Sequence, residues 1–297
     1  MRSNSIYRRI RGEKELTFSE LQKLTDRFNL SIDGVLNRRS TSGALFHYNP
    51  LKISDQQSYI SQMQRMLNIL NLLKSSSDNE IVYTARSIPF YHLVMQPELA
   101  FLNLYVWNNT LQLGNVTFET FCEKLDKKVI LSMYKKIHVA FLAIPSKEIW
   151  TVHTVGFTLR LLEYCFYTNA FERKNTVLML LNQLTVLMEK INQDASSGFK
   201  EGGQQTPFLM YNCSIDLENN SMLAMKENRL SLFLRLHTVN FIETDNEELC
   251  QATFKNNNDL LSKSTPVSGE TSEKQRIRFF DHVQSKIEKL AQKITEI

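Results

Sequence analysis

The chain has 297 residues, of which 42% are hydrophobic and 22% charged, with only 9 Gly and 6 Pro. That balance excludes collagen-like and low-complexity disordered chains and favours helices over a turn-rich β fold. The net charge of +4 is localised: residues 1–40 hold nine Lys/Arg against five Asp/Glu, and the remaining residues hold equal numbers of each, which points to an anionic partner at the front of an otherwise neutral body.

Residues 3–11 read as a short helix, with Ser3 or Asn4 as N-cap and Gly12 ending it in a left-handed conformation. Thr17-Phe18-Ser19-Glu20 has the capping-box spacing, and Leu21, Leu24 and Phe28 follow at helical intervals. A last short helix with Ile32, Val35 and Leu36 is expected before a linker at residues 38–43. Ser54 or Asp55 can cap a helix whose Ile60, Met63, Met66, Leu67, Leu70 and Leu73 share a face. Ile81-Val82-Tyr83 is a short strand or an extended lead-in. Pro97 begins a helix to Leu113 that is apolar nearly all round.

Thr117 opens a helical region that Pro145 stops. Ser146 is read as the cap of a helix reaching about Ala170, and another helix covers about 175–195. Residues 198–203 (GFKEGG) are a loop. The segments 207–215, 221–226 and 230–243 are expected to form a three-stranded antiparallel meander. A helix over 245–263 precedes a second linker at 264–272. The last helix, about 273–296, places Ile277, Phe280, Val283, Ile287, Leu290 and Ile294 near heptad spacing, suited either to a homodimer seam or to packing on its own body. The fold class expected is mainly α. Residues 1–37 form a partial helix-turn-helix, 44–263 an α-rich body with a small sheet at about 207–243, and 272–297 an amphipathic helix.

A helix presented to the DNA major groove needs short polar residues at its leading end and cations beside them, because the former reach base edges and the latter neutralise phosphates. Ser3, Asn4 and Ser5 are of the first kind, and Arg8, Arg9, Arg11 and Lys14 of the second. Tyr7 can donate to a phosphate or stack on the body. The plainer reading is a solvated basic helix.

The run S-x-S-x-Y-R-R-I-R-G-E-K-x-L-T-x-x-E-L-x-x-L, continued by F-N-L-S-I-D-x-x-L, resembles the second half of a cro/C1-type (XRE-like) helix-turn-helix domain, as in transcriptional regulators of Bacteroidota. The runs at 80–92, 97–107, 144–150 and 272–280 resemble the helical C-terminal part of the same regulators. The resemblance implies that residues 3–11 are a recognition helix, that double-stranded DNA is the partner, and that the body serves dimerisation or senses a small-molecule or protein effector. In that family two helices precede the recognition helix, whereas here Met1 stands immediately before it. The domain is therefore read as truncated, or as continued upstream of Met1. The alternative function is a protein-interaction or ligand-sensing module that keeps only a remnant helix-turn-helix.

No enzyme is expected. His47, His92, His138, His153, His237 and His282 form no metal-binding spacing, and neither a phosphate loop nor a nucleophile elbow occurs. No catalytic residue, metal or cofactor is assigned. His92, near Glu98, has the makings of an acid–base pair but reads more simply as a hydrogen-bonded core histidine. Tyr83, Phe90, Tyr91, Tyr105, Trp107 and Trp150 either line an apolar pocket with polar tips or fill the core. Cys122, Cys165, Cys213 and Cys250 form no C-x-x-C pair, no apolar run spans a membrane, and residues 1–9 lack a secretory core. A cytoplasmic, non-membrane protein is expected.

Overall fold

The structure is a computed structural model describing residues 3–28, 43–52, 56–111, 116–201, 206–237 and 239–296. The expected helix at Ile32, Val35 and Leu36, the linker at 38–43, and the caps Ser54 and Asp55 lie wholly or almost wholly outside these residues. The chain divides into residues 1–45 and 46–297.

In the first unit, α1 (Ser3–Ile10) and α2 (Phe18–Phe28) are joined by a turn in which Gly12 has φ +74°. That left-handed conformation carries little steric penalty for glycine, and it stops α1 where the sequence reading places it. The capping box forms reciprocally: the Glu20 N–H donates to Thr17 Oγ1 at 3.4 Å, and the Thr17 N–H donates to Glu20 Oε2 at 3.1 Å.

The second unit is an α/β fold. Among its described residues, eight strands form one mixed sheet in the order β1-β7-β6-β5-β2-β3-β4-β8. The strands are β1 (His47–Tyr48), β2 (Asn79–Ala85), β3 (Ser146–Trp150), β4 (Phe208–Asn212), β5 (Ser221–Lys226), β6 (Arg229–Leu236), β7 (Asn240–Thr244) and β8 (Thr265–Pro266). β2, β3 and β4 run parallel, in register through Tyr83, Glu148 and Met210. Parallel neighbours need crossovers. The first contains α4 (Phe90–Leu93), α5 (Pro97–Leu111), α6 (Phe118–Glu123) and α7 (Lys127–Leu142). The second contains α8 (Gly156–Tyr167) and α9 (Lys174–Ser197). The other pairings are antiparallel.

Residue alternation along the strands divides two cores. Ile81, Tyr83, Ala85, Trp150, Phe208, Met210, Met222 and Phe233 join the larger one with α3 (Gln56–Lys74), α4, α5, α7, α9 and α11 (Glu273–Glu296). Val82, Leu223 and Leu232 face the other way, onto α10 (Glu247–Lys263) through Cys250, Leu249 and Phe254. All four cysteines are buried thiols.

This architecture corrects the expectation of a mainly α body with a small meander. Residues 146–150, expected to begin a helix, are β3, and the following helix starts only at Gly156. Five residues are too few to display a period, and a strand inside a parallel sheet lacks clean polar–apolar alternation. The three segments expected to form one meander also part company. The first is β4, separated from β5 by β2 and β3, while the antiparallel meander is β5-β6-β7. The α11 stripe from Phe280 through Val283, Ile287, Leu290 and Ile294 is buried in the body's own core, and Ile277 is exposed.

Candidate functional site

The expected DNA-contacting residues lie on α1 and the turn after it. Ser3, Asn4 and Ser5 open the helix. Tyr7, Arg8, Arg11 and Lys14 are exposed. Arg8 and Arg11 share Glu13, at 3.5 and 2.8 Å, with both guanidinium side chains more than half exposed. Arg9 is differently placed. Its Nη2 donates to both Glu20 oxygens, at 2.6 and 2.9 Å, and the two side chains are only 12% and 17% exposed. The Thr17 backbone bond, followed by Arg9, holds the Glu20 carboxyl below its ordinary value. Arg9 thus ties α1 to α2, while Arg8 and Arg11, with the acid they share, and Lys14 remain exposed to solvent. Ile10, Phe18 and Phe28 leave most of their surface exposed within this unit.

A second cluster is buried in the body. His92 Nε2 donates to both oxygens of Glu148 at 3.0 Å, and Trp150 Nε1 donates to Oε2 at 2.8 Å. Lys200 Nζ donates to the carbonyls of Phe141 and Ile144 at 3.0 and 2.5 Å, and sits 3.4 Å from the centroid of the Phe141 ring. Burial pulls Lys200 down to about 7, against the opposing pull of Glu148 and Asp194. Burial also acts on Glu148, to raise it, but His92, Lys200 and Trp150 outweigh that and leave it below the ordinary carboxylate value. Phe141, Trp150 and Phe208 pack edge-on around the imidazole. His92 therefore takes its carboxylate from β3. Glu98, the partner suggested by sequence proximity, accepts instead from Gln183. The cluster clamps α4, β3, the end of α7 and the segment after α9 around one compensated charge set.

A cavity of about 80 Å³ lies between α3, α5 and the sheet. Of the six aromatic residues expected around a pocket, Tyr83, Phe90 and Tyr91 line it. The others are core elsewhere: Tyr105 Oη donates to the Val116 carbonyl, Trp150 serves Glu148, and Trp107 is buried outside the lining. Asn103 and Arg235 also line the cavity, without a local signal in the sequence that marks them. The alternation of β6 does place Arg235 on the same side as Phe233, but nothing local shows that this side faces a cavity. Among the described residues no group of three His, Cys, Asp or Glu side chains is arranged to hold a metal ion. Nor is any helix among them long and apolar enough to cross a membrane.

No family model, curated protein or solved structure matches this chain.

Proposed function

We propose that this chain is a cytoplasmic DNA-binding transcriptional regulator in which α1 and the following turn meet double-stranded DNA. The observation that carries the reading is the gathering of the chain's whole net positive charge into residues 1–40, behind a helix start of Ser3, Asn4 and Ser5. Arg8, Arg11 and Lys14 contact phosphates, Tyr7 stacks or donates beside them, and the leading serines and asparagine reach base edges or sugars. The role is binding, not catalysis, consistent with a His92–Glu148–Lys200 cluster that is enclosed by core aromatics. If two copies bind a two-fold operator, they pair through a surface other than the α11 stripe, which is already buried.

Gel-shift titration of the full chain against genomic DNA fragments tests this. Arg8→Ala and Lys14→Ala weaken retention while leaving the circular dichroism spectrum unchanged. Arg9→Ala weakens it through loss of the α1–α2 tie and lowers helicity with it. Retention unaffected by Arg8→Ala and Lys14→Ala together would contradict the proposal.

A further inference from the structure

The three parallel strands end level with one another, at Ala85, Trp150 and Asn212. In open α/β sheets the space outside the carboxyl ends of the strands is where ligands bind. A groove of about 300 Å³ opens at this edge, within the body and apart from α1. One wall is Asn212, which closes β4, with Thr265 of β8 beside it; the other is α11, which presents Gln275, Arg278 and His282. These three follow at intervals of three and four residues, so they stand one turn apart on one helical face.

Two observations in the groove point to a ligand. The side-chain oxygen of Asn212 is shut off from solvent and has no hydrogen-bond partner among the described residues. Buried acceptors are normally satisfied, and an amide oxygen is satisfied by an N–H or O–H donor. The second observation is one-sided charge. Arg278 is exposed and forms no ion pair or hydrogen bond among the described residues, and no Asp or Glu among them lines the groove. Lys286, one turn beyond His282, donates from Nζ to the Val152 carbonyl at 2.9 Å, which fixes a further cation against the strand ends. Burial, and after it Lys286, His153 and Lys289, hold His282 below its ordinary value; burial and Arg160 do the same to Lys286.

Like charges gathered in this way are relieved by an anion, and by a dianion more than by a monoanion. A guanidinium fork matches phosphate oxygens. The dianion of a phosphomonoester has no proton to give, so the donor that Asn212 lacks belongs to the rest of the ligand, as a hydroxyl. The volume stands at the lower end of the range for small-molecule pockets, enough for a body of sugar size.

We propose that this groove binds a small phosphomonoester carrying hydroxyl groups, its phosphate against Arg278 and His282 and a hydroxyl donating to Asn212, with Gln275 and Thr265 at its flanks.

The test is isothermal titration of the full chain, in phosphate-free buffer, with glucose 6-phosphate and glycerol 3-phosphate, against inorganic phosphate and sulfate. At least one ester is expected to bind about tenfold more tightly than either inorganic ion. Arg278→Gln, on an exposed helical face, should keep the wild-type circular dichroism spectrum and weaken that ester about tenfold. Lys255→Gln, an equal loss of charge on α10, should leave it unchanged. Asn212→Ala should weaken the ester by several-fold and leave inorganic phosphate as it was. The proposal is overturned if neither ester binds at millimolar concentration, if sulfate binds as tightly (a non-specific anion patch), if Arg278→Gln retains full affinity, if Lys255→Gln costs as much, or if Asn212→Ala leaves the ester unaffected. Weaker DNA retention by Arg278→Gln without ester binding would likewise overturn it, and would assign these cations to a nucleic-acid backbone.

Discussion

Glu148 is the residue on which the body's buried charges converge. It accepts from His92 and Trp150, and lies close enough to Lys200 for each to shift the other's titration. Removing one partner of a buried charge set leaves the others uncompensated. Glu148→Gln should therefore destabilise the fold by about 3–5 kcal/mol, seen as a lower urea midpoint with an unchanged slope; a loss too small to measure would show that the cluster carries little net charge. Lys200 supplies a pH signature. Its folded value near 7 lies below that of an unfolded lysine, so the unfolded chain binds more protons between the two values and stability rises with pH across that window. The cost of burying the charged ammonium is present in full below about pH 7 and is relieved above it. The stability difference between the wild type and Lys200→Met should change in this sense between pH 7 and 9, by at most about 1.4 kcal/mol per pH unit, with a flat difference as the contrary result. The sequence showed His92 but not its partner, because Glu148 is brought to it by a crossover of four helices, and separation along the chain carries no trace of that.

At the scale of elements, legibility followed local chemistry. The α1 stop at Gly12, the α2 capping box and the span of the last helix were all readable, since each rests on residues within one or two turns of one another. The parallel strands were not: β3 has five residues and is buried within the sheet, and its first residue, Ser146, imitates a helix cap. The cavity was half legible for the same reason. Tyr83, Phe90 and Tyr91 lie close together in sequence, whereas Arg235 arrives on a distant strand and Asn103 sits on a helix that is apolar nearly all round. The capping box can be tested directly. Thr17→Ala removes the side-chain acceptor for the Glu20 N–H, at a cost of about 1 kcal/mol. Hydrogen exchange at the Glu20 amide should accelerate about fivefold, and unchanged exchange would show that the cap does not hold α2.

At the scale of the whole molecule, the chain divides into a charged front unit and a larger α/β body. The two candidate sites, one on the surface of α1 and one in the groove between the strand ends and α11, suit two different kinds of partner. Charge made the first legible in the sequence, because Lys and Arg cluster locally. The second needed the fold, because its walls come from segments far apart along the chain. The measurement that most directly tests the central claim is the salt dependence of DNA binding by the full chain, followed by fluorescence anisotropy. Affinity should fall steeply as salt rises, and Arg8→Ala should reduce the slope of log K against log [salt] by about one. Binding that is indifferent to salt, or no binding at low salt, would contradict it.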